Sequence, residues 1–461
     1  MRDGSLVFPM QAKENDGTNV LLSMSFTPSK KNWELSSTTN GNGCRDPTLV
    51  RWEDLYGEEL FMMAHCAGGY YDVYRSTSDG IHWYEHLKPI TRVWGNSHKR
   101  TGYGVQSGST TATIGGKEVM LVTAPVYPKE EKNNGVNGRL HLWVTDGGRV
   151  YDVGPVSREN DDAAASSLLM QSGNEKLSVL YENKKGSDGS YNLVAVNLRV
   201  QLERIKEVVK KWKDLDSALQ SCGSGSSGTV DTRGKGMCNG RVPTKRLVGF
   251  LSGNFSENEW RDEYLGVNAI VHGPAEKRRR VPNGLTFKGS GAWAEWRVGD
   301  MGQTVPYYFA NSMFTLVATV SIHEVPKEGS GPIPLIGVRM NDTSSTVLFG
   351  LSYTHEKKLL AIGENPGDED DFFEWEPNTT YQVVLRMTDE EWTVFVDADE
   401  IECKKYNGHL FDSYRISHFY IGGDGKDKSA TGGHVTVTNV LLYNDDLFSN
   451  DLSKLNAGKV T

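Results

Sequence analysis

Residues 1–198 are dominated by short runs in which apolar and polar positions alternate, broken by turn residues. That period of two belongs to half-buried β-strands. Residues 5–10, 20–26, 60–65, 119–123, 140–144, 178–181 and 193–196 read this way, and no stretch sustains a 3.6-residue period. A weak repeat runs through the same region. Ser76-Thr-Ser-Asp-Gly-Ile-His-Trp83 has the form S-x-x-x-G-x-x-W, and residues 25–33 and 145–151 are degraded copies of it. Four strands with their turns per repeat describe a propeller blade, so residues 1–198 are expected to hold about four blades.

The pattern changes at residue 199. Val200, Leu202, Ile205, Val208, Val209, Trp212, Leu215 and Leu219 recur at helical spacing, with Lys and Glu on the other face. This predicts a helix over 199–221 whose stripe packs against the protein's own domains. Residues 222–246, rich in Gly and Ser, read as a flexible linker. Alternation returns in residues 247–461, at 314–322, 347–353, 381–387, 392–397 and 435–443. One buried and one wet face is the mark of a two-sheet sandwich, here of the lectin-like jelly-roll kind.

Composition agrees with an all-β chain. Gly is frequent, at 50 of 461 residues, which suits many turns, and the length sets an expectation of two to three domains. The net charge of −9 argues against a nucleic-acid partner, which would need a basic face. The run Lys277-Arg278-Arg279-Arg280 is local and reads as a solvated loop. There are five cysteines, Cys44, Cys66, Cys222, Cys238 and Cys403. Cys222 and Cys238 bracket the Gly/Ser-rich stretch, so a disulfide closing that loop is expected. No spacing matches a zinc site, and neither metal nor cofactor is expected. Asn254, Asn341 and Asn378 head N-glycosylation sequons. No window reaches the ~18 apolar residues of a membrane span. Neither a leader nor a lipid-anchor signal is visible, which reads as an intracellular protein or as a precursor lacking both ends.

Several strings resemble the trypanosomal trans-sialidase superfamily. They are Thr91-Arg-Val-Trp-Gly95, Gly138-Arg-Leu-His-Leu-Trp143, Arg149-Val-Tyr-Asp-Val-Gly154, Phe250-Leu-Ser-Gly-Asn254, His418-Phe-Tyr-Ile-Gly-Gly423 and His434-Val-Thr-Val-Thr-Asn-Val-Leu-Leu-Tyr-Asn444. The last is similar to that family's V-T-V-x-N-V-x-L-Y-N-R signature, with Asp445 in place of Arg. The resemblance implies a six-bladed sialidase propeller, of which about four blades are present, then a connecting helix and a concanavalin- or lectin-like sandwich. By that comparison the blades that carry the family's first substrate-binding Arg and its acid/base Asp are absent.

The resemblance also locates the chemistry. A sialidase clamps the sugar carboxylate with three Arg side chains, whose planar forks suit a carboxylate. It attacks with a Tyr made reactive by a Glu, an exception to the two-carboxylate rule of glycosidases. Ala165 occupies the Tyr position in Ala163-Ala-Ala-Ser-Ser167, and a methyl group cannot attack an anomeric carbon. Asp46, in Cys44-Arg-Asp-Pro47, is a shortened carboxylate in the Glu position. Asn137 and His65 stand where two of the triad Arg residues belong, and Gly135 where an acceptor-site aromatic belongs. Glu182 keeps the family identity, and alternation should turn Tyr181 to the opposite face.

Three functional readings follow. The first is a catalytically inactive surface glycoprotein that adheres to host-cell or matrix glycoproteins and binds sialoglycans weakly if at all. The strand Val435, Thr436, Val437, Asn439, Val440, Leu442, Tyr443 and Asn444 is its candidate contact, a role compatible with core packing if the strand lies at a sheet edge. The second is an active exo-α-sialidase or trans-sialidase. The third is a shortened gene copy without independent function, which predicts an open propeller edge. No nucleic acid and no membrane span enter any of them.

Overall fold

The computed structural model describes residues 4–39, 43–54, 57–65, 71–76, 80–85, 105–126, 137–171, 173, 175–185, 189–222, 240–298, 307–363, 372–406, 411, 414–425 and 433–459. The chain divides into two compact units, residues 1–210 with 301–308, and residues 211–300 with 309–461.

Among the described residues, four antiparallel meanders make up the first unit, each laid out in chain order from one edge to the other. Sheet one comprises β1 (Leu6–Lys13), β2 (Asn19–Thr27) and β3 (Asn32–Leu35). Sheet two comprises β4 (Arg45–Asp54), β5 (Gly57–His65), β6 (Tyr71–Ser76) and β7 (Tyr84–Glu85). Sheet three comprises β8 (Gly108–Ile114), β9 (Lys117–Val126), β10 (Arg139–Thr145) and β11 (Val150–Pro155). Sheet four comprises β12 (Ala163–Met170), β13 (Leu177–Lys185) and β14 (Ser190–Asn197). The first strands are neighbours in series, β1 beside β4, β4 beside β8 and β8 beside β12. Successive meanders meeting through their first strands is blade architecture.

Apolar faces hold the blades together. Trp52, Phe61 and Val73 of sheet two lock onto Met120, Val122 and Trp143 of sheet three. Leu60, Met62 and Tyr74 on the other face of sheet two pack with Leu21 of sheet one and with Trp83. The repeat seen in sequence is the turn that seals these seams. The Gly80 N–H donates to Ser76 Oγ at 3.2 Å, and Trp83 Nε1 donates to Ser23 Oγ of sheet one at 3.0 Å. Gly80 has φ +69°, and a Cβ there would sit 2.9 Å from Val7 of sheet one, so glycine is required. Residues 145–151 build the same turn one blade on. Gly147, at φ +84°, would place a Cβ 2.9 Å from Trp52 of sheet two. Asp146 caps this turn by accepting from the N–H groups of Gly148 and Arg149 at 3.1 and 2.7 Å.

The predicted helix is α1 (Arg199–Gln220). Leu202, Ile205, Val209, Trp212 and Leu219 are buried along its stripe. Val200, expected on that stripe, lies on the first turn and faces solvent. Among the described residues a sheet of sixteen strands forms the second unit, fourteen of them in one hydrogen-bonded path and two, Arg278–Val281 and Gly284–Lys288, branching from it, and the unit ends in α2 (Ser449–Ala457). The path doubles back so that strand Val347–Tyr353 lies over Glu391–Val396, with Phe349 stacked on Trp392 at 5.2 Å. Phe314 sits against Phe349 and Phe419 at 6.0 and 5.1 Å, completing the sandwich core. The basic run is not the expected loop. Arg278–Val281 is a strand paired with Gly284–Lys288, because the Arg278 guanidinium is anchored on Val271 O and Asn258 Oδ1 while Arg280 lies over Phe255.

Candidate functional site

Strand ends at one rim of the first unit carry the residues to which the sequence assigns chemistry. Both β4 and β12 start with a bulge, where the register shifts between Arg45 and Thr48 and between Ala163 and Ser166. Bulges re-aim side chains at sheet ends and are common beside functional sites. Asp46 lies in the first bulge at φ +53°, with its side chain exposed. Its N–H donates to Gln11 Oε1 of β1 at 3.2 Å. Ala165 lies in the second bulge, half-buried.

Residues 105–108, leading into β8, tie the two bulges together. Thr48 Oγ1 donates to Ser107 O at 2.8 Å, and the Ser166 N–H donates to Gln106 O at 3.1 Å. Ser166 Oγ accepts from the Gly108 N–H at 3.2 Å and lies 2.9 Å from Thr123 Oγ1. His65 pairs with Arg45 across β4 and β5 and is buried; its Nε2 donates to the Val105 carbonyl. Asn137 is exposed and precedes Gly138, whose carbonyl accepts from the Ala163 N–H at 2.8 Å. Glu182 is half-buried on β13, one residue before Asn183, which pairs with Ala163. The rim thus brings Asp46, His65, Asn137, Ala165 and Glu182 to adjoining strand ends. Gly135 and the Thr91–Gly95 string lie outside the described residues.

Its chemistry is limited. Ala165 offers no nucleophile, and the neighbouring Ser166 hydroxyl is bonded to Thr123 and a backbone amide rather than to a carboxylate. Tyr181 lies on the buried face of β13, as alternation predicts, and donates to Asp161 Oδ2 at 2.5 Å. Burial and then the Asp161 carboxylate push that phenol up to about 12, which disfavours its anion. Asn183 Nδ2 completes the cluster by donating to Asp161 Oδ1 at 2.9 Å. Gln11, residues 105–108 and Asp161 were not singled out from the sequence. The Asp161-Asp162 pair just before β12 was the one available signal. Among the described residues no group of three His, Cys, Asp or Glu side chains is placed to hold a metal ion.

Elsewhere, the candidate contact strand His434–Tyr443 is interior. Phe314–Ile322 pairs along one side of it, and Gly284–Lys288 and Leu247–Ser256 share the other. Val435, Val437, Val440, Leu442, Tyr443 and Asn444 are buried, while Thr436 and Asn439 are half-buried, the latter at φ +50° in a bulge. The edge position on which a contact role depended is therefore not met. Asn254, Asn341 and Asn378 are all exposed. Cys44 and Cys222 are disulfide-bonded, and Cys66 and Cys238 lie outside the described residues. Cys403 is a free thiol, raised in pKa first by burial.

Comparison with known proteins places this geometry. Residues 1–182 match the BNR repeat-like domain and residues 243–450 the trans-sialidase C-terminal domain. The solved Trypanosoma rangeli sialidase in complex with sialic acid superposes with a TM-score of 0.81 at 35% identity, covering 98% of this chain and 68% of that one. The chain belongs to the trypanosomal trans-sialidase and sialidase superfamily. A Trypanosoma cruzi protein named Sialidase is 33% identical over 96% of this chain and 36% of its own length. Trypanosoma cruzi Sialidase 85-1.1 is 29% identical over 98% of this chain and 57% of its own. The chain thus spans roughly a third to just over half of these curated relatives. Among its described residues no helix is long and apolar enough to cross a membrane.

Proposed function

We propose that this superfamily member keeps the sialidase frame without sialidase chemistry and serves in adhesion to host-cell or matrix glycoproteins. Ala165 in the β12 bulge carries the reading. A double-displacement glycosidase needs a group there that can bond to the anomeric carbon, and a methyl group has no lone pair. The neighbouring positions support the same conclusion. His65 is buried with its ring bonded to a backbone carbonyl, and Asn137 is neutral, so neither offers a guanidinium fork. A charge-assisted hydrogen bond contributes about 1.5–3 kcal/mol, so losing two Arg contacts removes on the order of a hundredfold or more in sialoside affinity.

A glycoprotein role agrees with three exposed sequons on the sandwich. Contact with a partner would use surfaces other than the interior strand His434–Tyr443. The competing reading, hydrolysis or transfer of terminal sialic acid, draws on the similarity to sialidases, one of them solved with sialic acid bound. Adhesion is tested by binding of the purified chain to immobilised matrix glycoproteins before and after desialylation. Saturable binding that survives desialylation is expected. Binding that vanishes with the sialic acid, or no binding at all, contradicts the proposal.

A further inference from the structure

The outer face of the sandwich carries a cavity that belongs neither to the rim nor to the sandwich core. Strands Phe314–Ile322, Thr380–Met387 and His434–Tyr443 supply its floor, and residues 240–242 with Leu455 and Gly458 at the end of α2 close over it. The register explains which side chains meet there. Val317 pairs with Leu441, and Thr319 pairs with Gln382 on one side and with Thr438 on the other, where the bulge brings in Asn439. The cover sits close, since a Cβ on Gly240 would fall 3.0 Å from Gly458 Cα. With its open mouth the cavity measures about 420 Å³, and its closed end has room for about two water molecules.

The lining divides by chemistry. Phe250, Val317, Leu441 and Leu455 are apolar, and Thr319, Gln382 and Asn439 stand against them. Gln382 is 2% exposed and Thr319 7%, yet Gln382 Oε1 and Asn439 Oδ1 are buried acceptors without a partner. Buried polar atoms are nearly always bonded, so two unpaired acceptors at one cavity call for a donor from outside the fold. At the mouth Lys459 is held by Asp397 at 2.6 Å. Arg241 is exposed and has no ion pair or hydrogen bond among the described residues.

We propose that this cavity receives the hydroxyl edge of an acidic sugar, a hexuronic acid residue, whose carboxylate meets Arg241 at the mouth. Sugar hydroxyls donate to the two amide oxygens, and the C–H face of the ring lies on the apolar wall. The guanidinium fork suits the carboxylate that remains outside. Water would satisfy the acceptors but would use neither the apolar wall nor Arg241. A cationic donor is disfavoured by Arg241 and Lys459. The site lies on the sandwich, so it stands or falls apart from the chemistry of the rim and from adhesion.

The test is a saturation-transfer NMR titration of the full chain with methyl glucuronide, methyl glucoside and acetate. Saturable binding of the glucuronide is expected, with the glucoside about tenfold weaker, the worth of one charge-assisted bond, and acetate without effect. Arg241→Ala, at an exposed position, should bring the glucuronide down to the level of the glucoside. Gln382→Met, close in volume, should weaken both sugars about tenfold or more while Tm stays level or rises, because an unpaired acceptor has been removed. The proposal is overturned by absence of saturable glucuronide binding, by equal affinity for the two sugars, or by binding indifferent to Gln382→Met, which would place it elsewhere. A lowered Tm for Gln382→Met also overturns it, since the amide would then be bonded within the fold.

Discussion

The sandwich and the propeller blades are made of the same kind of strand, but they close differently. In the sandwich the strand path folds back on itself, so Phe349 finds Trp392 and Phe314 finds Phe419. Among the described residues, Val325, Tyr414 and Phe448 are the large apolar side chains exposed there. In the blades each sheet is covered by its neighbour, so burial there depends on contacts between sheets, and Phe8 and Trp33 of sheet one are 47% and 45% exposed. Folding back covers a sheet with strands of the same path, whereas a blade is covered by the blade beside it. The difference also separates frame from chemistry. Blade packing rests on many residues, and Trp52, Phe61, Trp143 and Trp83 keep it intact. On the proposed reading, reaction at the rim would need a few particular side chains together, and position 165 holds a methyl.

The covered and open faces can be compared directly by truncation. Trp392→Ala in the sandwich should cost about 3–5 kcal/mol of unfolding free energy, the value for a buried aromatic. Trp33→Ala, at a ring that is 45% exposed, should stay within about 1 kcal/mol. Equal losses in chemical denaturation would show that the sheet-one face is covered after all.

Between these extremes lies the turn of the third blade. Asp146 holds Lys117 at 2.5 Å and the buried Arg149 at 3.3 Å. Asp146→Ala leaves the Arg149 guanidinium buried without its carboxylate and should cost about 3 kcal/mol. Restoration of stability in the double variant Asp146→Ala, Arg149→Leu would confirm that the loss is the stranded charge.

Acid should weaken the two units over different ranges. His418 in the sandwich is held at about 4, first by burial and then by Arg339 and Arg297, against the pull of Glu295. The unfolded chain takes up that proton near 6.5, so this contribution is complete above pH 6.5 and falls as the pH drops towards 4. Asp146 in the blades would be raised by burial, but Arg149 and Lys117 hold it at about 2. Its contribution is complete above 3.8 and falls as the pH drops towards 2. Each is on the order of 2 kcal/mol. Hydrogen exchange along a pH series should therefore show the sandwich loosening before the blades. The smallest effect belongs to Cys403→Ser, within about 0.5 kcal/mol, since this half-buried thiol sits on a peripheral strand against Thr393.

Much of this frame was readable from periodicity. Alternation located the strands, and the apolar stripe at 199–221 located α1 to within a residue. The repeat turn was legible because Gly80 and Trp83 are each demanded by packing that only they satisfy. What escaped was set by distant contacts. The basic run became a strand because Val271 and Asn258, 7 and 20 residues before it on neighbouring segments, accept from Arg278. The strand 434–443 became interior because its neighbours start at residues 247, 284 and 314. Of the rim, Asp46, His65, Asn137 and Ala165 were singled out from their motifs, whereas Gln11 and residues 105–108 enter it only through bulges that bring separate strand starts together.

Turnover of a fluorogenic sialoside by the full chain, followed both for hydrolysis and for transfer to an acceptor sugar, tests the central claim most directly, with Ala165→Tyr measured alongside. The proposed loss of chemistry at several positions predicts no turnover by either protein. Turnover by the unaltered chain would contradict the account and show that another side chain of the rim bonds to the sugar.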